Sequence, residues 1–202
     1  MNFSNCNLDS HLLQGLEEAG YIECTPVQAQ VLSAGMDGAD LYVQSQTGTG
    51  KTAAYLVTLM QRMLTAGVEE RRPALILVPT RELAVQVEEE ALKLSKHTGI
   101  RAASFYGGVG YQQQEEALKK GVDLIIGTPG RVIDLEKSKT MKLKHIGFLV
   151  VDEADRMFDM GFYPDLRSLL AVLSKAEDRQ TMLFSATLNT WVKNLAWEYT
   201  ID

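Results

Sequence analysis

A chain of 202 residues, 46% hydrophobic and 23% charged, has the material for one globular domain with a full core. Its formal net charge of −6 excludes general electrostatic attraction as a basis for nucleic-acid binding. Any such binding must rest on local contacts or on a further basic segment.

No apolar run approaches the roughly eighteen residues of a membrane span. The start, Met1-Asn2-Phe3-Ser4-Asn5, lacks the basic and apolar segments of a signal peptide. Cys6 and Cys24 provide neither a disulfide framework nor a metal-ligand spacing. A reduced, cytoplasmic protein is the expectation. The three histidines, His11, His97 and His145, are scattered and read as ordinary side chains.

In chain order, residues 9–19 predict a helix with Leu12, Leu13 and Leu16 as its apolar stripe and Gly20 as its stop. Thr25 and Pro26 open a second helix that turns Val27, Val31 and Leu32 to the core. Within it Gln28, by pattern alone, is an ordinary helical glutamine. Leu41-Tyr42-Val43 is a strand, followed by a glycine loop and a helix over residues 52–66 with Leu56, Leu59, Met60 and Met63 inward.

Residues 74–78 form a continuous apolar run, as in a parallel strand covered on both faces. A helix follows from Pro79-Thr80-Arg81-Glu82 to about Lys96. Residues 101–106, 123–127, 146–151 and 181–184 are the remaining strands. Helices are expected at 112–120, through Ile133 and Leu135, and near 164–173. A last helix places Trp191, Leu195 and Tyr199 on one packing face and leaves Trp197 off it. The unbroken alternation predicts an α/β domain with a mostly parallel central sheet, helices on both faces and right-handed crossovers. In such sheets ligands sit beyond the carboxyl ends of the strands.

The chemistry collects at those ends. Ser45-Gln46-Thr47-Gly48-Thr49-Gly50-Lys51-Thr52 fits the phosphate-loop pattern, with Ser45 in place of the first glycine. Gly48 and Gly50 lack a Cβ, so backbone N–H groups can close on a polyphosphate, with Thr47 and Thr49 part of the same cradle. The following helix N-terminus favours the same anion. Lys51 supplies a point charge, and Thr52 a hydroxyl for Mg²⁺. At the end of the strand Phe148-Leu149-Val150-Val151, Asp152 is the candidate to hold Mg²⁺ through water. Glu153 is the candidate to polarise an attacking water.

With Asp152-Glu153-Ala154-Asp155 in place, the chain resembles the first, N-terminal RecA-like domain of the DEAD-box ATP-dependent RNA helicases along its whole length. Its motifs stand in family order. Phe3 and residues 20–28 resemble the segment that reads adenine, and Ser45 matches a position where the family has a small non-glycine residue. Pro79-Thr80-Arg81-Glu82-Leu83-Ala84, Gly107-Gly108, Thr128-Pro129-Gly130-Arg131 and Ser185-Ala186-Thr187 match further motifs.

The resemblance implies ATP and Mg²⁺ as cofactors and RNA as partner. It makes Gln28 an adenine-reading amide and Tyr21 an aromatic that stacks on adenine. Cys24 departs from the proline usual there. Pro79, Thr80, Arg81, Gly107, Gly108, Thr128, Pro129, Gly130 and Arg131 become an RNA track. Arg81 and Arg131 are its planar donor forks for phosphate, unless Arg81 pairs with a carboxylate among Glu88 to Glu90. Such contacts position a strand without reading its sequence. Asp155, Ser185 and Thr187 are implied as a hydrogen-bonded coupling between motifs, with Asp155 and Ser185 in contact.

The family also needs a second RecA-like domain. The chain is therefore expected to be part of a longer, monomeric enzyme, weakly active on its own. Two other readings are a nucleotide-gated RNA or protein scaffold and a DNA translocase. The intact Lys51, Asp152 and Glu153 weigh against the first, and the adenine segment against the second.

Overall fold

The computed structural model describes residues 1–46, 50–187 and 189–199, the last three without their side chains. Six short strands form one sheet: β1 (Leu41–Gln44), β2 (Ala74–Leu77), β3 (Ala102–Phe105), β4 (Leu124–Gly127), β5 (Phe148–Val151) and β6 (Gln180–Ser185). Their order is β1-β6-β5-β2-β4-β3, and every neighbouring pair is parallel. Parallel neighbours require crossover helices, and the alternating pattern supplies them.

The first group of helices is α1 (Ser10–Glu18), α2 (Pro26–Gly35), α3 (Lys51–Ala66) and α4 (Arg81–Leu94). After these come α5 (Gln112–Lys120), α6 (Pro129–Lys137), α7 (Ala154–Asp159), α8 (Tyr163–Val172) and α9 (Thr190–Tyr199). Period-two alternation splits the strands between two cores. Ala74, Ile76, Ile126, Val150, Met182 and Phe184 face α1 to α4. Leu75, Leu77, Ile125, Leu149, Val151 and Leu183 face α6 to α9. The central strands β2 and β4 are buried at every residue, which is why they read as uninterrupted apolar runs.

Two features differ from expectation. The helix α7 was not foreseen, because six residues are too few to display a helical period. In α9 the buried residues are Val192, Leu195 and Ala196, not a stripe through Trp191. Trp191 stays 50% exposed and stacks on Phe158 of α7, ring centroids 4.8 Å apart. An i, i+3, i+4 face, rotated one residue from the predicted one, carries the packing. The side chains of Trp197 and Tyr199 lie outside the described residues.

The first helix touches α4 backbone to backbone. A Cβ on Gly15 would stand 2.5 Å from the Leu94 carbonyl oxygen, a rigid neighbour. The Gly15→Ala variant is expected to lose about 1–3 kcal/mol of stability through overpacking. Urea unfolding should show a lower midpoint with an unchanged slope.

Candidate active site

The strands end in register. Gln44 pairs with Ser185, Leu77 with both Val151 and Gly127, and Phe105 with Gly127. The segments leaving these residues therefore emerge along one edge of the sheet, where the described residues of each predicted strand-end cluster stand.

Thr47, Gly48 and Thr49 lie outside the described residues. Gly50 ends the loop with φ +84° and caps α3, and a Cβ there would come within 2.5 Å of the Gln28 Nε2. Only glycine suits both the dihedral and the contact. Lys51 opens α3. Its Nζ lies 2.8 Å from Asp152 Oδ1, the two side chains being 10% and 5% exposed. Asp152 follows β5, and its N–H donates to the Leu77 carbonyl. Its Oδ2 accepts from the Tyr55 hydroxyl at 2.9 Å.

Burial first, and then the Asp152 charge, push the Tyr55 phenol well above its ordinary pKa. It is thus held as a donor to the carboxylate. The sequence reading missed Tyr55. Its signal was present: it stands four residues after Lys51, so both side chains project from one face of α3.

Glu153 adopts φ 52°, ψ 51°, a left-handed conformation that costs a non-glycine residue on the order of 1–2 kcal/mol. Its carboxylate lies 3.6 Å from Arg156 and lines the same cleft as Lys51 and Asp152. That cleft, of about 330 Å³, is also bordered by Tyr21, Gly50, Thr52 and Glu90. Thr52 is half-buried on its wall. Among the described residues no group of three or more His, Cys, Asp or Glu is placed to hold a metal.

On the far side of the loop a concavity of about 580 Å³ lies against Thr25, Pro26, Gln44 and Ser45. Between the two sits Gln28, 1% exposed. Its Oε1 accepts from Thr25 N–H at 2.9 Å, and its Nε2 donates to the Gly50 carbonyl at 3.1 Å. The amide expected to read a purine edge is here turned onto the loop.

Tyr21 is half-buried, edge-on to Phe3, and its hydroxyl donates to Glu90 of α4. Burial, then the Glu90 hydrogen bond, raise its pKa. Cys24 uses the N–H that a proline would lack, donating to Met1 O at 2.9 Å. Its thiol is pushed up to about 11 by burial and then by Cys6.

Pro79 is buried, and Thr80 caps α4 by accepting from Leu83 N–H at 3.2 Å. Arg81 is exposed, its guanidinium 4.9 Å over the Tyr106 ring, and it makes no ion pair among the described residues. Two of the three acidic alternatives are taken, Glu88 by Ser104 N–H and hydroxyl and Glu90 by Tyr21; Glu89 is exposed. Gly107, Gly108 and Gly130 are exposed, and Gly108 lies beside the Arg81 guanidinium. Thr128 is half-buried and precedes Pro129, the buried first residue of α6.

Arg131 departs from the predicted phosphate fork. It is 8% exposed, and its two terminal nitrogens donate to Gln114 Oε1 at 2.9 Å and Val109 O at 3.0 Å. The guanidinium also lies 4.2 Å over the Tyr111 ring. Gln114 in turn donates to Tyr106 O. The guanidinium is thus bonded to α5 and to the loop before it, an arrangement that needs Gln114, a residue without any sequence signal.

The predicted contact of Asp155 with Ser185 is likewise replaced. Thr187 Oγ1 donates to Asp155 Oδ2 at 3.0 Å, and Ser185 Oγ donates to Thr187 O at 2.7 Å. Ser185 O receives the N–H of Ser45 at 3.0 Å. Thr187, two residues beyond β6, is the residue whose backbone position brings its hydroxyl to Asp155 at the start of α7.

Known proteins resemble the chain along nearly all of its length. The sequence profile described as DEAD/DEAH box helicase matches residues 25–195. The chain is 48% identical to the ATP-dependent RNA helicase RhlB of Xanthomonas axonopodis pv. citri (strain 306) over 205 aligned positions. That alignment covers 98% of this chain and 36% of the relative. It is 45% identical to the ATP-dependent RNA helicase RhlB of Vibrio cholerae serotype O1 (strain M66-2), over 98% of this chain and 46% of that protein. The chain thus spans less than half the length of these relatives. Its all-parallel, RecA-like sheet, its acidic tetrapeptide at the end of β5 and a profile match across most of its length place it in the DEAD/DEAH box helicase family.

Proposed function

We propose that this chain is the ATP-binding and hydrolysing part of an ATP-dependent RNA helicase that locally unwinds or remodels RNA duplexes. The observation that carries the proposal is the buried Lys51–Asp152 pair, held by Tyr55, with Glu153 on the wall of the same cleft. A lysine and an acid that serve only each other seldom border an open cleft at a helix N-terminus. Both suit MgATP: Lys51 as a charge for phosphate oxygens, Asp152 and Thr52 as oxygen donors for a cation that keeps several waters. Bound Mg²⁺ supplies charge neutralisation on the phosphate chain.

Lys51 exchanges its partner from Asp152 to phosphate when the nucleotide binds, which frees Asp152 for the metal side. Tyr55 keeps Asp152 aimed throughout. Glu153, on the cleft wall and 3.6 Å from Arg156 of α7, takes the proton of the attacking water. Tyr21 and the Thr25–Gln28 turn border the purine side, the Gln28 amide linking that side to the loop through Gly50. Arg81, Thr80, the Gly107-Gly108 pair, and Thr128, Pro129 and Gly130 form the RNA face, with Arg131 shaping it from behind. RNA is recognised there through its backbone and 2′-hydroxyls. A second RecA-like domain of the full-length protein completes the RNA and ATP sites. The protein works as a cytoplasmic monomer.

The full-length protein is expected to show RNA-stimulated ATPase activity. Lys51→Ala should abolish it, and Glu153→Gln should lower kcat by about 100-fold or more, the usual worth of a positioned base. Normal turnover in both variants would sink the proposal, and equal stimulation by DNA would shift it to a DNA translocase.

Tyr55→Phe leaves Asp152 Oδ2 buried and short of a donor. It is expected to cost about 1–3 kcal/mol of stability. A fall in kcat at temperatures where circular dichroism shows the variant folded would identify Tyr55 as a positioning residue.

A further inference from the structure

At the opposite edge of the sheet lies a groove of about 760 Å³, built by the α6–β5 connection and the end of α8. Residues 141–144 of the connection alternate buried and exposed. Met141 and Leu143 are each 2% exposed and form the floor, while Lys139, Lys142, Lys144 and His145 stand exposed around it. Lys175, just past α8, is exposed on the other wall. Four lysines thus ring an apolar floor, against two carboxylates, Glu136 and Asp178. None of the four lysines is in an ion pair among the described residues. In a chain of net charge −6 this is a concentrated exception.

The groove is preformed. Ser174 Oγ donates to Ile146 O at 2.7 Å, and Arg72 bonds the carbonyls of His145, Ile146 and Asp178, tying both walls to the sheet. Its distance from the nucleotide cleft is at least the length of β5, four residues or ~13 Å.

We infer that this groove docks an extended acidic segment of a partner protein that carries aliphatic side chains. The charge calls for carboxylates, and the Met141–Leu143 floor calls for apolar anchors between them. Single-stranded RNA fits less well. Sequence-tolerant RNA sites use aromatic platforms for the bases, and no Phe, Tyr or Trp lines this groove. The occupant would leave the nucleotide and RNA edge free, so the enzyme could be tethered while it works.

Fluorescence anisotropy tests the inference with the full-length protein and three labelled probes: a ten-residue peptide alternating Glu and Leu, a ten-residue poly-Glu, and a ten-residue oligouridylate. The Glu/Leu peptide is expected to bind, at least five-fold more tightly than poly-Glu. Its affinity should fall ten-fold or more in Lys142→Glu/Lys144→Glu and in Lys175→Glu, with RNA-stimulated ATPase unchanged. Absence of peptide binding, or binding indifferent to both charge reversals, overturns the inference. So does oligouridylate binding that drops in these variants, which would make the groove a nucleic-acid surface. Loss of ATPase activity in the unaltered protein would count against the proposed enzymatic function and leave the peptide result standing.

Discussion

The structure turns on the contact between Lys51 and Asp152. One residue opens α3 and the other closes β5, so a single ion pair of 2.8 Å joins the glycine loop to the acidic tetrapeptide. An ion pair this buried is a poor source of stability, because the desolvation of both charges offsets most of their attraction. Its value is positional. It holds two groups in a cleft where each has a second partner to take. Tyr55 makes this tolerable by hydrogen-bonding the carboxylate while itself resisting ionisation.

From that contact, hydrogen bonds run outward to the other site elements. Gly50 O holds the Gln28 amide, and Gln28 closes a capping box with Thr25. Ser45 N–H meets Ser185 O, Ser185 meets Thr187, and Thr187 meets Asp155. Tyr21 reaches Glu90 on α4, the helix that presents Arg81 at its start. The proposed purine side, phosphate loop and RNA face thus lie along one edge of the sheet. The bonds tie Gly50 to the Thr25–Gln28 turn on one side and Ser45 to Asp155, through Ser185 and Thr187, on the other.

The sheet also separates functions. Its carboxyl edge carries the polar loops with left-handed Gly50 and Glu153. Its amino edge carries the lysine-rimmed groove, braced by Arg72. A parallel sheet with helices on both faces leaves only its two ends for ligands. Partner docking at one end need not disturb chemistry at the other.

The fold class and most of the site were legible in the residues themselves. Strand and helix periods are local, so alternation gave the architecture. Strand-end chemistry is also local, so Lys51, Thr52, Asp152 and Glu153 could be placed together before their distances were known. What the sequence could not decide was which partner each polar side chain takes. Arg131 looked like a phosphate fork, but Gln114 and the Val109 carbonyl, brought up by a separate helix and loop, take its donors. Ser185 looked like the partner of Asp155, but the backbone after β6 brings the Thr187 hydroxyl to Asp155 and leaves Ser185 on the Thr187 carbonyl. Trp191 had the spacing of a core residue, yet the rotation of α9 left it at the rim. Residue type and spacing determine the inventory of donors, acceptors and apolar surface. Pairing depends on distances of a few tenths of an ångström between elements remote in sequence, and only tertiary packing sets those.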